Sequence, residues 1–175
     1  MTAVDHPGHG RTEEETSVTG TVAAGAAGFD PDEHVRFARY RRAFATVAPE
    51  EAAGLAARVL TDPERSMASG AVCEYLDRRA AELLTDPGFP AWHRELSGVV
   101  AADAFAARHL RDWALLRAVT LDEPWTEEQV LAAENRLQEH LAEESNARPV
   151  LGLLAERGRT RRTRNVATAR LRQVR

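Results

Sequence analysis

The chain has 175 residues, 43% of them hydrophobic and 29% charged, with a formal net charge of -4. That length can bury a core without disulfides, and that balance argues against a surface wholly given to nucleic acid or anionic lipid. The single cysteine, Cys73, excludes an internal disulfide and a thiolate-built zinc or iron–sulfur centre, and no run approaches the ~18 apolar residues of a membrane-spanning helix.

Residues 1–28 contain no aromatic residue and no leucine, and they are rich in Gly, Thr, Ala and Glu. A segment of this composition buries too little to offset its chain entropy, so a disordered N-terminal tail is expected. The first ten residues have no basic stretch and no apolar stretch, so no secretory leader is expected; the lone cysteine suits a reducing compartment, and the expected location is the cytoplasm. All 23 basic residues are arginine, and both lysine and isoleucine are absent. The codons of those two are AT-rich, which points to a GC-rich bacterial genome. Arginine is then no sign of bidentate recognition by itself.

Order is expected from Phe29. Asp30–Pro31–Asp32–Glu33 reads as a helix start with Asp30 as the cap, followed by Phe37, Tyr40 and Phe44 at helical spacing. Pro49–Glu50–Glu51 opens a short helix carrying Leu55, Val59 and Leu60. Asp62–Pro63–Glu64 repeats the start signal for a third helix running to about Leu84, with Met67, Ala71, Tyr75 and Leu83 inside it. Cys73 lies in this helix as a small buried hydrophobe. Thr85–Asp86–Pro87–Gly88 is a break.

Pro90 then opens a long helical tract to about Val119, with Leu96, Val99, Ala106, Leu110 and Trp113 on one face and Gly98 placed to bend or split it. Leu121–Asp122–Glu123–Pro124 breaks the chain again. Thr126 and Gln129 form a capping box for a helix with Val130, Ala133, Leu137 and Leu141 as its apolar stripe. Asn146 reads as the cap of a short helix that Gly158 ends in a left-handed conformation, and Thr160 starts the last helix. Alternating strand patterns and tight hairpin turns are not found in the sequence. The expected fold is all-α, a compact bundle or short α-solenoid of six to eight helices forming a single domain over 29–175.

The stretch from Arg148 to Leu171, RPVLGLLAERGRTRRTRNVATARL, resembles a HEAT-type repeat: an apolar first helix, a tight turn, and a second helix mixing Arg, Val, Ala and Leu. The phrase Thr-Asp-Pro at Thr61 and again at Thr85, each after a leucine-terminated helix, is a turn common in α-solenoid repeats, and residues 50–84 loosely resemble the same repeat type. The resemblance implies an α-helical pair used as a docking surface.

Charge is unevenly spread. Eight arginines and no acid lie between Arg157 and Arg175, which leaves 15 arginines against 27 acids, a net of -12, in the rest of the chain. Arg159, Arg161, Arg162 and Arg164 gather at the positive end of the last helix dipole, so something negative must compensate. Neighbouring glutamates, an acidic protein partner and a nucleic-acid backbone all answer that description. With Arg157 these four are the expected partner-binding residues. The expected role is a non-catalytic adaptor or regulator that binds an acidic protein partner through a helical surface. A phosphate-backbone clamp on nucleic acid is the alternative.

Other chemistries are poorly supported by the residues. Glu50–Leu60 and Glu64–Leu76 have helix-turn-helix length, but only Arg65 is placed to meet DNA, and Asp62 and Glu64 repel it. His6, His9, His34, His93, His109 and His140 are scattered, with no metal-binding spacing, and no nucleotide or hydrolase motif occurs. No catalytic residue, metal or cofactor is assigned. Trp92, Trp113 and Trp125 read as core and junction anchors. Asp103 falls on an apolar face and is expected to be buried with a raised pKa beside His109 or Arg117; an apolar pocket there would favour an enzyme.

Overall fold

A computed structural model describes Met1 and residues 29–174. The expected tail over 2–28, including His6 and His9, lies outside the described residues, as does Arg175. The described part is all-α: nine helices and no strand. They are α1 (Glu33–Thr46), α2 (Ala52–Val59, entered through a 3-10 turn at Pro49–Glu51), α3 (Arg65–Leu83), α4 (Phe89–Val100), α5 (Ala104–Thr120), α6 (Glu127–Ala132), α7 (Asn135–Glu144), α8 (Arg148–Arg157) and α9 (Arg161–Gln173). No helix among the described residues is long and apolar enough to cross a membrane.

Several boundaries differ from expectation for identifiable reasons. The cap of α1 is Asp32, whose Oδ1 accepts the N–H of His34 at 2.8 Å, while Asp30 accepts the N–H of Asp32 itself. The long tract after Pro90 splits at Ala101–Asp103 and not at Gly98, because Asp103 caps α5 by accepting the N–H of Ala106 at 2.8 Å. The stripe from Val130 to Leu141 belongs to two helices, α6 and α7, separated at Ala133–Glu134. The capping box of Thr126 and Gln129 is present, and Thr160 caps α9. Asn146 caps nothing; its side chain accepts from Arg170, and Ser145 accepts the N–H of Ala147.

Two hydrophobic clusters form the core. The first gathers Phe44, Val59, Val72, Tyr75, Leu76, Leu96, Val100 and Leu110 from α1 to α5. The second gathers Leu115, Val119, Val130, Leu141, Val150, Leu151 and Leu154 from α5 to α9. A smaller group, Ala80, Leu83 and Phe89, sits against Trp92 and Trp113. Helix α5 serves both main clusters. At 100° per residue, Ala106 and Leu110 point one way and Leu115 and Val119 nearly the opposite way. A search for a single apolar stripe therefore finds only the first half of this helix.

Buried polar groups hold the connections. Asp62, 2% exposed, accepts from Arg36 Nε at 2.9 Å, Tyr40 OH at 2.7 Å and the backbone N–H of Glu64 at 2.8 Å. This ties α1 to the α2–α3 turn. Burial alone would push the Asp62 carboxyl up, but the hydrogen bonds from Tyr40, Arg36 and Glu64 hold it below the usual carboxylate range. Burial and the same carboxylate push Tyr40 up to about 12. The turn of the supposed helix-turn-helix is thus occupied by an internal contact. At the other end of the first cluster, Arg117 is 8% exposed and donates to the carbonyls of Leu84 and Asp86. It therefore joins the α3–α4 turn to α5.

Asp62→Asn leaves the buried Arg36 guanidinium without a counter-charge, and the expected loss in thermal midpoint is about 10 °C near neutral pH. The native Asp62 carboxyl titrates below its unfolded value. Its contribution is therefore complete above about pH 4 and fades as pH falls through that range toward the native value. Thermal melts of both proteins between neutral and acid pH should show the gap closing on acidification; a constant gap would contradict the assignment.

Candidate functional site

The arginine segment is built on a firmly held turn. Gln138 on α7 is fully buried; its Nε2 donates to the carbonyls of Val130 and Leu131, and its Oε1 accepts the backbone N–H of Arg159 at 2.9 Å. The turn between α8 and α9 is therefore fastened to the end of α6. Gly158 closes α8, but not in a left-handed conformation: its φ is -54° and its ψ 143°. Glycine is required there by close approach. A Cβ would lie 2.5 Å from the Leu154 carbonyl oxygen and 3.2 Å from Thr163 Cγ2.

The five arginines expected to meet a partner divide into two groups. Arg157 pairs with Glu127 at 2.9 Å, Arg162 with Glu143 at 3.2 Å, and Arg164 donates to the Gly158 carbonyl at 2.6 Å. Arg159 and Arg161 are exposed, and their guanidinium groups have no ion pair among the described residues. Further along, Arg170 donates to Ser145 and Asn146, and Arg148 on α8 donates to the carbonyls of Leu171 and Val174. Part of the basic run is an internal brace, and part faces outward.

A second arrangement was not visible in the sequence. His109, Asp112, Trp113 and Leu116 recur on α5 at intervals of three and four residues, so they form one stripe. This stripe lies between the face that meets the first cluster and the face that meets the second. With Asp77 of α3, and Glu134, Arg136, Leu137 and His140 on or beside α7, it lines a cleft of about 230 Å³ at the seam between the two.

Within the cleft, Asp77 Oδ1 receives both His109 Nε2 at 2.7 Å and Trp113 Nε1 at 2.8 Å. Burial pushes the Asp77 carboxyl up, but these two hydrogen bonds hold it lower than usual. Asp112 Oδ2 accepts the backbone N–H of Glu134 at 3.2 Å; burial raises its carboxyl above the usual range. Glu134 in turn pairs with Arg108 at 2.5 Å. Leu137 is buried at the base, while Arg136 and His140 are exposed at the rim.

The expected pairing of Asp103 with His109 or Arg117 is not formed. Asp103 caps α5 and accepts from Ser69 Oγ; His109 pairs with Asp77, and Arg117 with Glu123 at 3.1 Å. Six residues apart at 100° per residue, Asp103 and His109 do not share a helix face, and Asp103 serves as the α5 cap. The remaining histidines stand apart. His34 is exposed on α1, and His93 stacks on Phe89 with its pKa lowered by burial. Among the described residues no three His, Cys, Asp or Glu side chains gather to hold a metal ion. Burial, with Asp77, Asp103 and Glu134 nearby, pushes the Cys73 thiol up to about 12. Trp92 donates weakly to Tyr75 at 3.4 Å, and Trp125 packs on the second cluster.

No protein-family model, no curated protein and no solved structure matches this chain.

Gly158→Ala places a methyl group against the Leu154 carbonyl oxygen. Urea unfolding should show a loss of about 1–3 kcal/mol, and the Arg159 amide should lose its protection from hydrogen exchange as its bond to Gln138 loosens. Unchanged stability and protection would show that the turn does not hold the segment rigidly.

Proposed function

We propose that the protein is a non-catalytic, cytoplasmic adaptor or regulator that binds an acidic segment of a partner protein at the α8–α9 turn. The observation that carries this reading is the exposure of Arg159 and Arg161 on an anchored turn, with no carboxylate paired to either among the described residues. Their backbone is ordered before a partner arrives, so less ordering cost remains at binding. Carboxylates of the partner would form charge-assisted, two-pronged hydrogen bonds with the guanidinium forks. Arg157 and Arg162 join them by exchanging exposed pairs to Glu127 and Glu143, which contribute little net stability. Arg164 keeps the shape of the turn through Gly158. The HEAT-like character of the α8–α9 pair belongs to this proposal, since such pairs present one helix face to a partner.

The exposed large apolar side chains Val35, Phe105 and Leu121 lie on or beside α1 and α5, away in sequence from this pair. Binding at the turn would therefore be charge-led and salt-sensitive. A phosphate-backbone clamp is less well supported, because Glu127 and Glu143 stand among the arginines and repel phosphates.

Fluorescence anisotropy with a labelled glutamate-rich peptide and with a mixed-sequence DNA duplex separates the two. The expected result is peptide binding at about 50 mM salt that weakens roughly tenfold in the Arg159→Ala/Arg161→Ala protein, with the duplex unbound. Duplex binding that is lost in the same variant and falls steeply with salt would replace the proposal with the nucleic-acid reading. Binding to neither would remove both.

A further inference from the structure

Helix α1 carries a single acid, Glu33, in its first turn and four arginines after it. Arg36 is committed to Asp62, and Arg39 lies 3.6 Å from Asp30. Arg41 and Arg42 border a groove of about 450 Å³ between α1 and α3, with Arg78 of α3 on its other wall. The short side chains of Ala38, Ala45 and Ala71 leave that space open. Contacts across the groove hold its arginines together. Arg41 Nε meets Glu74 Oε2 at 2.7 Å, and Arg78 donates to the Phe44 carbonyl at 2.5 Å while lying over the Tyr75 ring. Glu74 and Arg78 are neighbours one turn apart on α3, which sets Arg41 and Arg78 about one turn apart as well. Arg42 is exposed and has no ion pair among the described residues. The lining holds three arginines against one acid, a net of +2, and that acid is already neutralised by Arg41.

We propose that this groove is the docking site of the chain's own acidic run, Glu13–Glu14–Glu15, on the same molecule. Charge and tether length both select this occupant. Residues 2–28 hold four acids, Asp5 and the three glutamates, against one arginine, Arg11, a net of -3. The segment joins the described fold at Phe29, four residues before α1 begins at Glu33. A chain rich in Gly, Ala, Ser and Thr has a root-mean-square span of about 20 Å over the 15 links from Glu14 to Phe29. Arg42 lies ten residues along from the Asp32 cap, about 15 Å at the rise of a helix. Tether and target match in length, the condition for an effective concentration in the millimolar range. At that concentration, charge-assisted hydrogen bonds from Arg42 and Arg78 to the run suffice without a large interface. The chain enters the fold beside the first hydrophobic cluster, whereas the α8–α9 turn belongs to the second. This inference does not rest on that turn and stands or falls separately from it.

The test uses the full chain with a nitroxide attached at Ser17→Cys and follows amide signals by nitrogen-15 NMR. Cys73 is 7% exposed, so the label goes to the introduced thiol. At about 20 mM salt the label is expected to broaden the amides of Ala38–Ala45 and Ala71–Arg78 roughly threefold more than in a Glu13→Gln/Glu14→Gln/Glu15→Gln chain carrying the same label. That excess should vanish at about 500 mM salt, where charges are screened beyond about 4 Å. Arg42→Gln alters only an exposed, unpaired side chain and should remove most of the excess, while amides of the second cluster report that each variant keeps its fold. Tethering alone brings the label near α1, so the differences between chains are decisive. Equal broadening with and without the glutamates, or broadening unchanged by salt and by Arg42→Gln, overturns the proposal. Broadening centred on Arg159–Arg164 overturns it in favour of the other basic surface. Broadening of an enriched, unlabelled chain mixed with a labelled one overturns it by placing the run on a second copy.

Discussion

Helix α5 is buried on two opposite faces, and the rest of the molecule is arranged around that constraint. Leu110 is committed to the cluster formed with α1–α4 and Leu115 to the cluster formed with α6–α9. Each buried leucine contributes on the order of 2 kcal/mol by leaving water, so neither commitment is easily given up. Two cores that share one helix meet along it but cannot close completely around it. The strip left between them carries His109, Asp112, Trp113 and Leu116, and the cleft lies there. Its position follows from the packing. Its polar contents do not, because apolar residues on the same strip would have let the two cores merge.

Buried polar groups do in this protein what longer apolar interfaces do in larger ones. The helices are short, and several, such as α6 and α8, cannot persist alone. Asp62, Gln138 and Arg117 each gather backbone groups from turns that would otherwise be loosely held. All three are nearly fully buried; Asp62 and Gln138 are well satisfied, the condition under which a polar group fixes geometry without a large desolvation cost, while Arg117 leaves its Nε unpaired. Gln138 has the longest reach in functional terms, because the same amide that closes α6 also sets the backbone of Arg159. The outward arginines inherit their rigidity from a residue that is itself fully buried.

The charge asymmetry of the chain is partly resolved within the fold. Glu127 and Glu143, from α6 and α7, lie opposite Arg157 and Arg162, and carbonyls at helix ends absorb Arg148, Arg164 and Arg170. Within the α8–α9 segment, Arg159, Arg161 and Arg172 reach solvent with no ion pair among the described residues, a small basic site and not a broad basic face. A site of that size suits a few placed carboxylates better than a continuous phosphate backbone.

The sequence by itself determined the all-α class of the described residues, most helix starts, and the membership of much of the core, because these depend on local spacing and capping chemistry. The Thr126–Gln129 capping box and the Thr160 cap are examples: their partners lie within one turn. It could not determine which side of α5 faces what, since Leu110 and Leu115 lie in the same helix but belong to different clusters. Nor could it distinguish the two Thr-Asp-Pro turns. The Asp86 side chain is exposed and accepts only the N–H of Gly88, whereas that of Asp62 is buried against Arg36 and Tyr40. The pairing of Asp77 with His109 and Trp113 spans more than thirty residues and has no local signature. Such contacts arise only when separate helices are packed. The tertiary structure alone therefore decided the cleft, the anchoring of the arginine turn, and the fate of each buried carboxylate.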